Sequence, residues 1–390
     1  MHKVRLLVVG LVLAQMILVH PTLGFSFHNY STSLMETVDF DSPRWRISDD
    51  YARKEEHLSR KSLFLKTGFA SLEDVDFQDG TVEVDLAMTS RTSFVGIVFR
   101  AASADEFEIV YFRPFKSGQP DAVQYTPAFN GSMPWQLYNG TGYTAAVEIR
   151  HDEWVHTRID VHGRTLSVYF GNSEKPALVN NDLKHGCSHG AIGLWGIANG
   201  GHFSNFKYQV ANTDGSSTAP PIVAGKGVIT EWKISEAFGV DQRDPEQLPS
   251  TSELESLKWQ AVSVETPGMV VIDRYRKGPD HVQDFSDPNF KIGRRVGRKF
   301  VFARTTIYSE RDQIKRMSIG YSDDVSVFLN GRPVFNGRSA YKYRDPGFLG
   351  IMSLENDSVY LTLKKGRNDL VLTVAEYFGG WGFICRIDRA

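Results

Sequence analysis

The fold is decided by two stretches of the chain, residues 77–86 (FQDGTVEVDL) and residues 93–99 (SFVGIVF). β-branched and aromatic residues recur in both, and polar residues with turn-forming character separate them. The same pattern returns at residues 106–112, 155–162 and 165–170. Short, regularly spaced strands with turn signals are typical of an antiparallel β-sandwich rather than of a parallel α/β sheet.

Helical periodicity is nearly absent from the chain. The one candidate helix is residues 48–61 (SDDYARKEEHLSRK), and most of its residues are charged or polar. The sequence therefore predicts an all-β protein.

Residues 211–227 (ANTDGSSTAPPIVAGKG) have no periodicity and are rich in Ser, Thr, Pro and Gly, which is typical of a linker. A second series of strand-like runs follows, at residues 229–234, 268–274, 299–307, 325–329, 358–363 and 369–374. We therefore predict two independently folding domains, residues 36–210 and residues 228–390, joined by the linker 211–227.

The N-terminus has the features of a signal peptide. Lys3 and Arg5 precede an apolar run at residues 6–19, and small residues follow at 22–24. The run is shorter than the ~20 apolar residues that a membrane-spanning helix needs. We predict that residues 1–24 are removed and that the protein is secreted or periplasmic; the alternative is an uncleaved anchor.

Charge and cysteine content exclude several classes of protein. The 44 basic and 46 acidic residues nearly cancel, so no net field attracts nucleic acid or an anionic membrane. The only cysteines, Cys187 and Cys385, fall in different predicted domains, which excludes a disulfide framework. We predict two buried thiols, with a single interdomain disulfide as the alternative.

The strand sequences of the first domain carry a family resemblance. Residues 77–86 resemble the opening strands of concanavalin-A-like domains, and residues 93–100 resemble the next strand. Residues 190–195 (GAIGLW) with 202–208 (HFSNFKY) are similar to the closing pair. Laminin-G-like domains, family 16 glucanases and 3-keto-disaccharide-hydrolase-like domains share this order. The resemblance covers residues 36–210 and implies a concanavalin-A-like β-sandwich, a fold that hosts several activities.

The second domain resembles a galactose-binding-like β jelly roll, at residues 320–331 (GYSDDVSVFLNG) and 366–374 (GRNDLVLTV). Its Asn-Gly pair at 330 and 331 predicts a two-residue hairpin, because both positions accept positive φ. Trp381 lies among glycines (GGWG), where it forms a sugar platform if exposed and fills the end of the barrel if buried; both alternatives stay open. Asp323 and Asp324 are candidate calcium ligands, since calcium binds oxygen donors.

The long segment between residues 110 and 143 is the candidate ligand site. Its start (VYFRPFKSGQPDAVQY) is similar to exported concanavalin-A-like proteins of unassigned role. Flat aromatic faces suit the C–H side of a pyranose ring, and amide or guanidinium groups suit its hydroxyls. In the alternative interpretation the aromatic residues pack the mouth of the sandwich and Arg113 pairs with Asp121. The predicted ligand-binding residues are Arg113, Gln124, Tyr125, Asn130, Trp135, Tyr138 and Tyr143, with Trp381 from the second domain.

Catalysis has weaker support in the sequence. Glycoside hydrolysis usually takes two carboxylates on either side of the scissile bond. Family 16 enzymes carry Glu-x-Asp-x-x-Glu or Glu-x-Asp-x-Glu, whereas Glu83 and Asp85 are followed here by Leu86 and Ala87. The missing third carboxylate argues against glucanase chemistry, and Glu83 and Asp85 are expected on one solvated strand face.

The sequence thus predicts an exported, lectin-like, carbohydrate-binding protein without catalysis. One alternative is a glycoside hydrolase or lyase that uses carboxylates of the first domain, and another is a protein-interaction module. The expected partner is carbohydrate, with no nucleic acid and no membrane after signal cleavage. The only cofactor that the residues suggest is calcium.

Overall fold

The computed structural model describes residues 34–211, 218–278 and 298–388. These residues form four antiparallel sheets, two from residues 34–211 and two from the described residues after 218, and the predicted all-β class is confirmed. The predicted signal peptide, residues 1–24, lies outside the described residues. No helix among the described residues is long and apolar enough to cross a membrane.

The first half builds its two sheets from fifteen strands of the described chain. Sheet S1 has the order β13-β12-β11-β6-β15-β4-β3, with β1 beside β15, and sheet S2 has the order β10-β9-β8-β7-β14-β5-β2. A short 3-10 helix, Pro114–Lys116, lies between β8 and β9. The strands are β1 (Glu36–Thr37), β2 (Trp45–Ile47), β3 (Arg53–His57), β4 (Arg60–Leu65), β5 (Gly68–Phe77), β6 (Asp79–Ala87), β7 (Ser93–Ala101), β8 (Phe107–Phe112), β9 (Val123–Ala128), β10 (Thr144–Ala145), β11 (Trp154–His162), β12 (Thr165–Phe170), β13 (Leu178–Asn180), β14 (Gly190–Ala198) and β15 (Gly201–Ala211).

Alternation of side chains explains why S1 and S2 face each other. In β11, Val155, Ile159 and Val161 are buried, while the residues between them are half-buried or exposed. Successive side chains of a strand point to opposite faces, so the apolar set of each strand collects on one side. The core lies between the sheets, and burying each large side chain contributes about 1.5–3 kcal/mol.

The predicted helix at residues 48–61 is wrong. Strands β3 and β4 form a hairpin there, and Leu58 and Ser59 connect them with φ angles of 47° and 60°. Two successive positive φ angles are the geometry of a tight hairpin turn. The charged residues lie along the edge strand β3, where charge prevents further strand pairing. Hydrophobic residues of β4 enter the core instead of forming a helical face.

The second half forms sheet S3, with the order β18-β16-β20-β25-β22-β23 and β17 beside β20, and sheet S4, with the order β19-β26-β21-β24. Asn330 and Gly331 form the predicted hairpin turn, with φ angles of 51° and 79°. One α-helix, α1 (Thr251–Ser256), begins at a capping box of Ser250 and Glu253. A 3-10 helix spans Ile272–Arg274. The strands are β16 (Trp232–Ile234), β17 (Phe238–Gly239), β18 (Gln260–Val262), β19 (Val270–Val271), β20 (Lys299–Ser309), β21 (Gln313–Ser322), β22 (Asp324–Leu329), β23 (Arg332–Arg338), β24 (Asp357–Leu363), β25 (Gly366–Ala375) and β26 (Gly382–Ile387).

Each half has its own core between its two sheets, and a third apolar cluster joins the halves. In this joint Leu137 and Tyr138 of the first half pack with Met269, Val271 and Ile384 of the second. All five side chains are buried. We call this contact the interdomain joint.

The two thiols are not linked to each other. Cys385 is buried in the core of the second half, and burial raises the pKa of its thiol. Cys187 is half-buried in the first half. An interdomain disulfide is therefore not formed in this structure.

Candidate ligand site between the two sandwiches

The loop between β9 and β10 leaves the first sandwich and inserts into the second. Gln136, at its tip, is fully buried. Its backbone N–H donates to Gly379 O at 2.9 Å, and its Nε2 donates to Leu349 O at 2.7 Å. Its Oε1 accepts from Ser322 Oγ at 2.9 Å. The loop that the sequence assigned to ligand binding is therefore also a structural anchor.

The Gly-Gly-Trp-Gly segment of the second domain receives this loop. A Cβ atom at Gly379 would lie 2.6 Å from Gln136 Oε1 and 2.7 Å from Trp135 Nε1. A Cβ atom at Gly380 would lie 2.7 Å from Pro134 Cβ. Because these separations are too short for real Cβ contacts, the segment needs glycine to let the loop approach.

Trp381, between these glycines, points into the core of the second domain. Its side chain is fully buried, and its Nε1 donates to Val374 O at 2.9 Å. Its backbone N–H donates to Asp273 Oδ2 at 2.7 Å. This is the arrangement of the buried alternative, in which Trp381 fills the end of the barrel.

A carboxylate of the second domain collects three donors at the interdomain joint. Glu265 accepts from the Tyr138 hydroxyl at 3.0 and 3.1 Å, lies 3.0 Å from Lys184 Nζ, and accepts from Arg274 Nε. Burial raises the pKa of the Tyr138 hydroxyl well above its usual value, so it donates. Burial opposes the charge on Lys184, but Glu265 nearby raises the pKa of Lys184 on balance.

Gln124 and Tyr125 support the loop from inside the first domain, and both are fully buried. Gln124 Nε2 donates to Trp135 O at 2.9 Å and to Tyr138 O at 2.6 Å. The Tyr125 hydroxyl donates to Glu108 Oε2 at 2.7 Å. These side chains hold the loop in position and present no face to solvent.

Asn130 and Tyr143 lie beside the joint and are half-buried. Asn130 Nδ2 donates to Asp273 O of the second domain at 2.7 Å. The ring of Tyr143 lies 5.4 Å from the ring of Tyr138. Asn130 thus contributes to the contact between the domains.

Arg113 is buried and surrounded by partners from its own domain. Its Nη1 donates to Asp121 O at 2.7 Å and lies 3.7 Å from Asp121 Oδ2, which agrees with the alternative interpretation of this residue. Its Nη2 donates to the Tyr111 hydroxyl at 2.8 Å and also to Gln124 Oε1. Burial raises the pKa of Tyr111 to about 12, so its hydroxyl stays protonated. The guanidinium lies 5.8 Å from the Trp135 ring centroid, at the floor of a cavity.

This cavity, which we call the interdomain cleft, has a volume of about 270 Å³. The outer face of S2 forms one wall. Gly96 of β7 lies between Tyr111 and Trp195 of the neighbouring strands, and their rings meet across it at 5.7 Å. The lining residues are Thr92, Phe94, Tyr111, Arg113, Phe115, Lys116, Met133, Trp135, Trp195, Ile197, Tyr341, Lys342, Leu349 and Phe378.

The second domain forms the opposite wall of the cleft. The Trp135 ring meets Tyr341 at 6.1 Å and Phe378 at 5.9 Å, both edge-on. Within the described residues no hydrogen bond occupies Trp135 Nε1. Lys342 is exposed at the rim with a φ of 59°, an uncommon backbone conformation for a residue other than glycine. The cleft therefore combines aromatic walls with a few polar groups at its edge.

The carboxylates that the sequence offered for catalysis lie elsewhere, on S1. Asp85 accepts from Arg60 Nη1 at 2.5 Å, from Asn205 Nδ2 at 2.7 Å and contacts His156 Nδ1 at 3.0 Å. Glu83 lies 3.8 Å from His156 Nε2. Both belong to a polar network on one strand face and not to the cleft.

The candidate calcium ligands are surrounded by donors of this chain. Asp323 Oδ2 accepts the backbone N–H of Phe378 at 2.6 Å and that of Tyr377. Asp324 accepts from Arg338 at 2.9 and 3.0 Å and from Arg298 at 3.1 Å. Across the described ranges, no group of three or more His, Cys, Asp or Glu side chains is arranged to hold a metal. The environment of Asp323 and Asp324 does not fit a calcium ion.

A wider groove of about 880 Å³ lies over the other end of S2, lined in part by Phe69 and Phe107. Carboxylates do reach this groove. Asp74 accepts from Arg44 Nε at 2.6 Å, and Asp76 contacts His189 Nδ1 at 2.5 Å. This groove therefore brings carboxylates of the first domain to the face of S2.

No family model and no curated protein matches this chain. Solved structures that resemble it include the carbohydrate-binding module CBM66 from Bacillus subtilis, at 15% identity and a TM-score of 0.33, over 44% of this chain and 96% of that one. A protein of unknown function with a galectin-like fold from Bacillus subtilis has 10% identity and a TM-score of 0.37, over 47% and 98%. SCLam, a non-specific endo-β-1,3(4)-glucanase of family GH16, has 11% identity and a TM-score of 0.33, over 47% and 91%. Each of the three is similar to less than half of this chain.

Proposed function

We propose that this chain is a carbohydrate-binding protein without catalysis and that it holds a sugar in the interdomain cleft. The observation that carries the proposal is the aromatic corner of Trp135, Tyr341 and Phe378, which both domains build around a cavity of about 270 Å³. Aromatic faces bind the apolar C–H side of a sugar ring, and a small number of polar groups orient it.

The polar groups at the cleft suit hydroxyl recognition. Trp135, half-buried in the wall, has its Nε1 donor beside Gly379, and Lys342 is an exposed donor at the rim. Thr92, also exposed, is both donor and acceptor. Ligand pockets usually measure about 300–1,000 Å³, so this small cleft fits one sugar ring or a chain end rather than a long segment.

The lining of the cleft also supports binding rather than hydrolysis. Within the described residues it includes no carboxylate. Glycoside hydrolysis by the usual route needs two carboxyl groups on either side of the bond. Cleavage of a glycan by the purified protein would favour the alternative of a hydrolase.

The proposal is tested by comparing the affinities of Trp135→Ala and a matched control for neutral glycans found on an array. Loss of a stacking aromatic side chain costs roughly 1–3 kcal/mol, which is about 5- to 150-fold in affinity. Tyr343→Ala is the control, because Tyr343 is in the same loop as Tyr341 but is 58% exposed and outside the cleft lining. A folded Trp135→Ala protein that binds every glycan like the wild type would overturn the proposal. Capture of proteins instead of glycans would favour the interaction-module alternative.

We also propose that the protein is exported after removal of residues 1–24. The basic residues and the apolar run at the N-terminus support this proposal. N-terminal sequencing of secreted material is expected to begin near Phe25. Material that begins at Met1, or that stays in the cytoplasm, would contradict export.

A further inference from the structure

The outer face of S3 is only partly covered. Its aromatic residues Phe300, Phe302 and Phe328 pack beneath a segment that includes Phe238 and Leu254. Next to Trp259, at the end of this segment, the outer face of S3 is open. A cavity of about 720 Å³ lies there over β16, β20 and β25. We call it the sheet-face cavity. It belongs to the second domain alone and shares no lining residue with the interdomain cleft.

Two cations lie side by side at this cavity. Lys233 of β16 and Arg304 of β20 are directly opposite each other in the strand register. Within the described residues, neither side chain takes part in a hydrogen bond or an ion pair. Like charges directly opposite each other on neighbouring strands are destabilising, so the pair works against stability. Such an arrangement is expected where the groups serve a ligand.

The Arg304 guanidinium is held in place by an aromatic ring. It lies 4.2 Å from the ring centroid of Trp259, and Trp259 Nε1 donates to Leu254 O at 2.8 Å. A guanidinium that is stacked in this way keeps its N–H donors available at its edge. The donors of Arg304 are therefore prepositioned at the wall of the cavity.

The lining balances positive and negative charge. Its three basic residues are Lys233, Arg304 and Arg367, and its three acidic residues are Glu231, Glu255 and Asp369. A strongly anionic ligand would meet three carboxylates, whereas a neutral polyhydroxyl ligand uses donors and acceptors together. Tyr308, also in the lining, is 77% exposed and offers a flat apolar face. Charge, hydroxyl-binding groups and aromatic faces together match a neutral sugar chain.

We propose that the sheet-face cavity is a second saccharide site, which takes a neutral oligosaccharide with Arg304 as its hydrogen-bonding anchor and Tyr308 as its stacking face. All residues of this site belong to the second domain, and none of them lines the interdomain cleft. Two sites on one chain would raise the avidity for a polysaccharide whose geometry allows both to be occupied.

The test uses the full chain on an array of neutral and uronic-acid oligosaccharides. The proteins are the wild type, Arg304→Gln, Tyr308→Ala, Trp135→Ala and the double variant Trp135→Ala/Arg304→Gln. Arg332→Gln is the matched control, since Arg332 is exposed and outside the cavity. Loss of a hydrogen bond from a charged group is expected to weaken binding of at least one neutral glycan by about tenfold or more. The effect should persist in the Trp135→Ala background.

The two sites give different results in this experiment. Binding that survives Trp135→Ala but is lost with Arg304→Gln supports the sheet-face cavity and contradicts the cleft. Neutral binding that is unchanged in Arg304→Gln and in Tyr308→Ala overturns the second site and leaves the cleft untouched. If Arg304→Gln weakens the binding of acidic glycans alone, the second site is also overturned. If the wild-type protein binds no glycan, both proposed sites are overturned. Tyr308 is too exposed for its loss to prevent folding, which keeps the test interpretable.

Discussion

The hydroxyl of Tyr138, in the first sandwich, donates a hydrogen bond at 3.0 Å to Glu265 of the second, 127 residues further along the chain. The Tyr138 side chain is fully buried. An aromatic residue that the sequence assigned to a ligand instead joins the two domains. The candidate sugar site lies close to this contact, in the interdomain cleft between the two domains.

Glu265→Gln is expected to destabilise the protein strongly. Lys184 would lose one of its two carboxylate partners and keep Asp182 at 2.7 Å, while Arg274 would lose its ion pair with Glu265. Removing one member of a buried ion pair costs about 3–5 kcal/mol. Since Glu265 and Arg274 keep some exposure, we expect about 2–4 kcal/mol in chemical unfolding.

Glu153→Gln is the matched control for this substitution. It removes an ion pair with Arg150 whose side chains are 53% and 66% exposed, and such pairs contribute about 0–1 kcal/mol. Equal stability of Glu265→Gln and Glu153→Gln would contradict the role of Glu265 in the joint.

Gly379→Ala is expected to disturb the joint and the cleft together. Gly379 has a φ of +95°, and its Cβ would meet Gln136 and Trp135. Gly331→Ala controls for backbone strain, because Gly331 has a φ of +79° with nothing within 4 Å of a Cβ atom. A left-handed alanine alone costs about 1–2 kcal/mol. Gly379→Ala should lose more stability than Gly331→Ala and should also weaken glycan binding; equal losses with unchanged binding would contradict this.

Cleavage of the linker is expected to leave the two halves associated. The sequence predicts independent domains, and each half does have its own core. The joint nevertheless buries apolar side chains from both halves and the Glu265 ion pairs. After proteolysis between residues 211 and 227, the halves should elute together in size-exclusion chromatography and unfold in one transition. Separate elution, with a cooperative melt of each half, would show that the joint is weak.

Stability is expected to fall with rising pH through Asp323. Burial raises the pKa of Asp323 to about 8, although the backbone N–H groups of Phe378 and Tyr377 oppose this rise. Between about pH 4 and pH 8 the folded protein keeps a proton that the unfolded chain has released. The free energy of unfolding should therefore decrease with pH, by at most about 1.4 kcal/mol per pH unit from this group.

Asp323→Asn is the variant that isolates this effect, because it removes the titrating group and keeps a similar shape. Urea unfolding at pH 5 and at pH 8 should show a smaller loss of stability for Asp323→Asn than for the wild type. An identical loss in both proteins would exclude Asp323 as the source of the pH dependence.

Local features of the fold were predictable because they depend on neighbouring residues. Strand β12 has the predicted bounds, and the Asn330–Gly331 turn follows from the φ values that these residues accept. The helix α1 also had a local signal that the prediction missed, the Ser250 and Glu253 capping box. The hairpin at residues 53–65 was mistaken for a helix because its edge strand is charged, and charge does not distinguish an edge strand from a helix surface.

The site was only partly predictable because it depends on contacts between the halves. Trp135 and Arg113, both predicted ligand-binding residues, do line the cleft. Tyr341 and Phe378 form the opposite wall, and no sequence pattern around them indicates a ligand site. Two signals did exist. In residues 93–99, apolar side chains occur at both odd and even positions, so both faces of the strand are apolar. This pattern indicates that both faces are covered by other parts of the protein. The glycines around Trp381 indicate a close approach of another segment.

The central claim is that a sugar binds in the interdomain cleft, and a crystal structure of the protein with the best-bound neutral oligosaccharide tests it most directly. We predict electron density for a sugar ring against Trp135, between Tyr341 of the second domain and the outer face of S2. A sugar bound only elsewhere, with the cleft empty, would contradict the claim.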